Sequence, residues 1–176
     1  MKKLLYLLSI VILIASCNNA NIEEEILGTW ETSFFIDSEK SKTMFGAEDG
    51  IDNGVDIELT LKSTDQFIKG KRYNSNGYMK FVIRVDDQEI PFKLGFKESG
   101  TWEFHDNILV TTTDDIKINP LDRITKNLIE EFPEFKAVFE QVKGESSTNK
   151  IIKITKEEMQ IKSEDLPDML LTYYKK

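Results

Sequence analysis

The chain has 176 residues, with 23 Lys and Arg against 31 Asp and Glu, one His and one Cys. Its 40% hydrophobic and 10% aromatic content supplies a core and argues against wholesale disorder. The lone Cys excludes an internal disulfide and any Cys-rich zinc or iron–sulfur site, and a net charge of -8 argues against binding nucleic acid.

Lys2 and Lys3 open the chain, followed by an apolar run from Leu4 to Ala15 broken by Tyr6 and Ser9. About a dozen apolar positions fall short of the ~20 that span a bilayer as a helix. A charged start, a short apolar stretch and a small-residue exit mark a secretion signal. Ile14-Ala15-Ser16-Cys17 resembles a bacterial lipobox. The resemblance implies that residues 1–16 are a lipoprotein signal peptide, cleaved before Cys17, whose thiol and new amino terminus receive acyl chains. Each buried CH2 contributes about 0.8 kcal/mol, so several chains hold the protein to a membrane. The implied location is the bacterial cell envelope, lipid-anchored at the outer membrane and facing the periplasm or the surface. Without Lys2 and Lys3, 21 basic residues face 31 acidic ones, and a net charge of -10 keeps the domain off anionic headgroups. Residues 17–25 read as the acylated Cys and a polar tether. The run Glu23-Glu24-Glu25 resembles export signals of some surface-displayed lipoproteins, although a solvated linker accounts for it as well.

From Leu27 onward the period is that of half-buried strands. Trp30, Thr32, Phe34 and Ile36 face one way; so do Val55, Ile57, Leu59 and Leu61, and Met79, Phe81, Ile83 and Val85. Ile90, Phe92, Leu94 and Phe96 repeat the pattern, then Trp102 and Phe104, then Ile108, Val110 and Thr112. Late in the chain come Ile152 and Ile154, Met159 and Ile161, and Met169, Leu171 and Tyr173. Asn74-Ser75-Asn76-Gly77 predicts a hairpin between residues 64–73 and 77–86, with further reversals at Asp86-Asp87, Ser99-Gly100 and Asp106-Asn107.

One long connection has helical character, a late insertion at 119–143. Asn119 suits the N-cap, Pro120 the first turn and Asp122 the dipole. Leu121, Ile124, Leu128 and Phe132 form one stripe, Pro133 breaks it, and Phe135, Val138, Phe139 and Val142 form a second that Gly144 stops. These stripes fit core packing at a barrel mouth or wall.

One-sided strands need closure or a second sheet to hide their apolar face. Charged outward positions disfavour a transmembrane barrel. The expected fold is therefore mainly β, an antiparallel up-and-down barrel of about 8–10 strands with a late kinked helical insertion, over residues 26–176.

Ile26-Leu27-Gly28-Thr29-Trp30 resembles the Gly-x-Trp start of lipocalin-like proteins, and Gly100-Thr101-Trp102 repeats it midway, as in bacterial lipocalin-like lipoproteins of the calycin type. The resemblance implies that Trp30 plugs the closed end and packs against a cation near the last strand, for which Lys175 is the candidate. The Thr-Asp-Tyr loop motif of the classical members is absent, with Thr113-Asp114-Asp115 at a similar kind of turn. It further implies a barrel interior that binds a small, mainly hydrophobic molecule such as a lipid. Trp30, Phe34, Phe81, Phe92 and Trp102 are the residues expected to line or plug it.

Catalytic signals are weak. His105, the only imidazole, lies beside Asp106 at a strand end with no nucleophile fixed nearby, and one His cannot make a His-based zinc site. Residues 38–54 read as a long acidic loop. Within it Asp49-Gly50-Ile51-Asp52-Asn53-Gly54 fails the calcium-loop spacing, since Ile51 falls at a ligand position. Glu130 and Glu131 are adjacent on a helix and read as solvated surface. The expectation is a non-enzymatic monomer without metal or cofactor, whose partners are the membrane, through its anchor, and a small ligand. The alternative is an envelope protein-interaction module with a filled barrel.

Overall fold

The computed structural model describes residues 22–44, 55–85, 88–164, 166 and 169–176. Eight strands follow one another around a closed antiparallel barrel in sequence order. They are β1 (Gly28–Ile36), β2 (Val55–Ile68), β3 (Arg72–Val85), β4 (Gln88–His105), β5 (Ile108–Pro120), β6 (Ser146–Ile154), β7 (Glu158–Ser163) and β8 (Leu170–Lys175). β8 returns to pair with β1 through Thr32 and Tyr173, which leaves the sheet no free edge. The fold is mainly β and consistent with a lipocalin-like, calycin-type barrel.

Helices occupy the two ends. A helical turn over residues 22–26, α1, precedes β1. α2 (Ser38–Met44) follows β1, while α3 (Arg123–Glu131) and α4 (Pro133–Glu140) stand between β5 and β6. Among the described residues, no helix is long and apolar enough to cross a membrane.

Paired residues on adjacent strands point to the same face, so the register reads the interior in rungs. Across β1 to β4 the inward rungs are Gly28, Phe67, Tyr73, Gly100; then Trp30, Asp65, Ser75, Glu98; then Thr32, Ser63, Gly77, Phe96. Above them lie Phe34, Leu61, Met79, Leu94, and then Ile36, Leu59, Phe81, Phe92. Two apolar clusters result. One gathers Trp30, Phe67, Trp102, Phe104 and Met159 at the closed end with Ile26 of α1. The other gathers Ile36, Leu59, Phe81, Phe92 and Ile118 at the mouth, where Leu128, Ile129, Phe135 and Phe139 of the helices pack on it.

Several expected boundaries are displaced. Asn74-Ser75-Asn76-Gly77 is not a turn; β3 runs straight through it, and the reversal lies at Gly70 and Lys71, both with positive φ. Gly77 serves close approach instead, since a Cβ there would lie 2.0 Å from the Lys62 carbonyl oxygen. Ser99-Gly100 is likewise no reversal but a register shift inside β4, where a Cβ on Gly100 would lie 2.0 Å from the Thr112 oxygen. Asp106-Asn107 does turn, with φ of 49° and 65°. Asp86-Asp87 lies outside the described residues, between the paired Val85 and Gln88.

Bulges also move the inward phase. The shift at Ser99/Gly100 leaves Asp114 without a partner across the ladder, so Thr113-Asp114-Asp115 is an irregularity within β5 rather than a turn. Leu109, Thr111 and Thr113 face inward there, not Ile108, Val110 and Thr112. In β6 the buried residues are Asn149 and Ile151, while Ile152 is 51% exposed at the next bulge. Runs such as Ile108-Leu109-Val110 are apolar on both faces, and alternation alone cannot choose between them.

The helices start later than the proline suggests. β5 continues to Pro120, and the N-cap is Asp122, which accepts from the Thr125 N–H at 2.7 Å and from its hydroxyl at 2.9 Å. Thr125 faces inward and accepts the Lys93 N–H at 2.7 Å, whereas Leu121, Ile124 and Phe132 are about half exposed. Pro133 does separate the helices, and Gly144 has a φ of +87° beyond the second. Part of the 38–54 segment is helix α2 rather than loop, begun by Asp37, whose carboxylate accepts the Lys40 N–H at 2.9 Å. Residues 22–25, read as tether, belong with Ile26 to α1 at the closed end: Ile26 is fully buried and Glu23 pairs with Lys71 at 2.6 Å.

Candidate functional site

Between the two apolar clusters the barrel holds a cavity of about 320 Å3, part of which opens to solvent. Its apolar wall includes Phe34, Leu61, Phe67, Phe96, Leu109 and Met159. The opposite character comes from Ser63, Asp65, Ser75 and Glu98 of β2 to β4, and from Thr111, Ser147, Asn149 and Ser163 of β5 to β7. Tyr73 and Tyr173 complete the polar lining. Among the described lining residues there is no Lys, Arg or His, so two carboxyl groups share the interior without a cation.

Strand pairing sets the geometry of the acids. Asp65 pairs with Ser75, and Ser75 with Glu98, placing the carboxyls on one rung with a serine strand between them. Asp65 accepts the Ser75 hydroxyl at 2.5 Å. Burial pushes its carboxyl up to about 6, against the lowering effect of hydrogen bonds from Ser75 and Ser63; the charge of Glu98 adds to the rise. Glu98 accepts from the Tyr73 hydroxyl and, at 2.7 Å, from the Thr113 hydroxyl. Burial, reinforced by the bond donated to Glu98, raises the Tyr73 phenol. Burial also raises Tyr173, with smaller contributions from the charges of Asp65 and Glu98. Such a chamber can desolvate the apolar part of a molecule while carboxyl, hydroxyl and amide groups orient its polar part.

The five expected interior residues divide by height. Phe34 lines the cavity. Trp30 and Trp102, 0% and 2% exposed, form the closed end below it. Phe81 and Phe92 stack at 4.7 Å and 12° in the mouth, beneath Phe139 at 5.9 Å and Phe135 at 5.3 Å. Cys17 and the segment 49–54 lie outside the described residues.

Both tryptophans carry a lysine. Lys175 Nζ stands 4.8 Å from the Trp30 ring centroid and donates to the Glu25 carbonyl at 3.0 Å. Lys71 Nζ stands 4.2 Å from the Trp102 ring centroid. The indoles donate in turn to backbone oxygens, Trp30 to Ile26 at 2.7 Å and Trp102 to Ile68 at 3.3 Å. The repeated Gly-x-Trp therefore marks a repeated structural device at the closed end.

His105 is exposed at the β4–β5 turn with Nε2 3.0 Å from Asp106, and is not part of the cavity. Glu130 and Glu131 are exposed on α3, Glu130 3.8 Å from Lys126. Among the described residues, no three His, Cys, Asp or Glu side chains gather where they could hold a metal ion.

The alternation of apolar residues marks Tyr173 but not Asp65, Tyr73 or Glu98. The signal was nevertheless there. The parity that puts Leu61 and Phe67 inside puts Ser63 and Asp65 between them, and Phe96 and Trp102 bracket Glu98 in the same way.

The chain matches no protein-family model, and no curated protein matches it.

Proposed function

We propose that this protein is a lipid-anchored, lipocalin-like binding protein of the bacterial envelope that holds a small, partly hydrophobic molecule in its barrel without transforming it. The observation that carries this reading is the interior cavity of about 320 Å3, at the lower end of the 300–1,000 Å3 that small-molecule sites occupy. Apolar burial at about 25 cal/mol per Å2 would supply affinity, and the polar rung would set orientation. The anchor reading rests on the Lys2-Lys3 start, the short apolar run and Ile14-Ala15-Ser16-Cys17. Binding rather than catalysis is favoured because the sole imidazole stands outside the chamber. The proposed location is the outer membrane, and the proposed working state is a monomer without cofactor.

Two measurements test it. Native mass spectrometry of detergent-extracted protein should show a co-purifying mass of a few hundred daltons, and its consistent absence would remove the ligand reading. Radiolabelled palmitate should enter the chain, and Cys17→Ala should abolish the label; a labelled Cys17→Ala variant would remove the anchor.

One observation favours a second reading, an envelope protein-interaction module. Leu121, Ile124, Phe132 and Val138 are 51%, 49%, 49% and 60% exposed on and beside the mouth helices. On that reading Ile124→Lys and Val138→Lys would release a bound protein while leaving the barrel intact.

A further inference from the structure

We propose that the outer wall of β2 to β5 is a binding face for a linear acidic polysaccharide, a chain of uronate sugars; the face is separate from the cavity and does not depend on it. Three consecutive outward rungs define it: Thr60, Lys80 and Lys93; then Lys62, Tyr78, Gly95 and Asn119; then Thr64, Asn76, Lys97 and Lys117. Five lysines stand there without one Asp or Glu, in a chain whose 31 acidic residues outnumber its basic ones. Lys62, Lys80, Lys97 and Lys117 are exposed, and Lys93 holds its Nζ 3.9 Å from the Tyr78 ring centroid. None of the five pairs with a carboxylate among the described residues, whereas Arg84 on the same β3 holds Glu58 at 2.6 Å. Lys80 is directly across from Lys93, and Lys97 from Lys117, although like charges in register weaken a sheet. A row of anions laid over them would offset that repulsion.

The second observation is the relief of this wall. Two open depressions, of about 590 and 530 Å3, meet at Asn76. Lys62, Thr64 and Tyr78 line one, and Lys97 and Lys117 line the other, so a furrow crosses the strands. From β1 to β5 it spans four strand spacings, about 19 Å. The carboxylates at its ends are already engaged, Glu31 with Lys176 at 2.5 Å and Asp115 with Lys143 at 3.9 Å. The chemistry of the face selects among polyanions. Lysines are point charges that suit carboxylates, and the hydroxyl and amide groups of Thr64 and Asn76 donate and accept as sugar hydroxyls require. A peptide would gain no main-chain bonds, because the closed barrel has no edge to extend. A nucleic acid would find no arginine in the three rungs, and the one ring there, Tyr78, already lies under Lys93. A membrane plane would bring the acidic remainder of the chain toward the headgroups, whereas a narrow polymer meets only the furrow.

The test uses fluorescein-labelled polygalacturonate and the full-length chain in nonionic micelles, read by fluorescence anisotropy at low salt. The polymer should bind, added NaCl should weaken it, and neutral dextran should not compete. Lys80→Gln with Lys93→Gln, and Lys97→Gln with Lys117→Gln, should each lose about tenfold in affinity, the effect of two exposed ion pairs. Lys150→Gln with Lys162→Gln removes a cross-strand lysine pair from β6 and β7 and should bind as the parent does. In the unaltered protein the polymer should shield Lys80, Lys93, Lys97 and Lys117 from acetylation, but not Lys150 or Lys162, as mass spectrometry would read. That footprint keeps the inference open to refutation where a variant folds poorly. Absence of binding, or an equal loss from the β6–β7 pair, would overturn it. Polyglutamate binding as tightly would overturn it in favour of an acidic peptide. Phosphatidylglycerol doped into the micelles and shielding the same lysines unaided would overturn it in favour of the membrane.

Discussion

Lys175 Nζ sits 4.8 Å above the Trp30 ring while donating a hydrogen bond to Glu25 in the turn that leads into the same strand. One lysine on the last strand thus ties the first strand, the entry helix and the buried tryptophan together. Gly28 leaves room for it, because a Cβ there would meet the Lys175 Cε at 2.7 Å.

Trp30→Ala should cost about 3–5 kcal/mol of unfolding free energy, since a fully buried indole would leave a cavity. Lys175→Met keeps most of the stem and removes the charge, and should cost about 0.5–2 kcal/mol. Urea denaturation of both singles and the double would measure their coupling; additive losses would mean that the lysine does not act through the ring.

Asp65 makes stability depend on pH in a defined direction. Its carboxyl is raised from 3.8 to about 6 in the folded barrel, chiefly by burial. Between those values the folded chain holds a proton that the unfolded chain has lost, so stability falls as pH rises from about 4 to 6. The loss is on the order of 3 kcal/mol and levels off above that window. Asp65→Asn should remove the fall. The variant gains relative to the parent at pH 7.5 but not at pH 4, as denaturation at the two pH values would show. An unchanged pH profile would assign the dependence to other groups.

Gly77→Ala and Gly100→Ala should destabilise by 1–3 kcal/mol or more, because each new Cβ lies 2.0 Å from a backbone oxygen of a neighbouring strand. Gly70→Ala meets no atom within 4 Å and should suffer only the strain of φ +84°, about 1–2 kcal/mol. Thermal unfolding of the three variants should rank them in that order.

At the mouth, Asp122→Ala should cost about 1 kcal/mol through the lost N-cap. Phe135→Ala, half-buried against Phe92, should cost up to about 1.5–3 kcal/mol. Hydrogen exchange should quicken over residues 123–140 in both, while β2 and β3 stay protected. Uniform acceleration throughout the barrel would show that the helices are part of its cooperative core.

The period of two was legible wherever one face is apolar and the other charged, as in Ile57-Glu58-Leu59, and it carried the barrel with it. It failed where both faces are apolar: at Ile108-Leu109-Val110 the pairing set by the Asp106-Asn107 turn decides which residue faces inward, and at Ile151-Ile152 a bulge does. It failed again at Gly77, where a glycine needed for strand contact looks in sequence like one needed for a turn. The polar rung is not legible in the alternation for a different reason. Asp65 and Glu98 face inward although they are charged, so an apolar period does not mark them.

α1 lies across the tryptophan end, with Ile26 sealed into the core and Glu23 held by Lys71, so whatever precedes residue 22 leaves the barrel there. Four residues separate Cys17 from Ile22, five Cα–Cα steps with a reach of at most about 18 Å. An acyl chain on that cysteine would therefore berth the molecule stern-first. The aromatic rim and its two helices would then look out into the aqueous compartment, where solutes arrive without passing the headgroups.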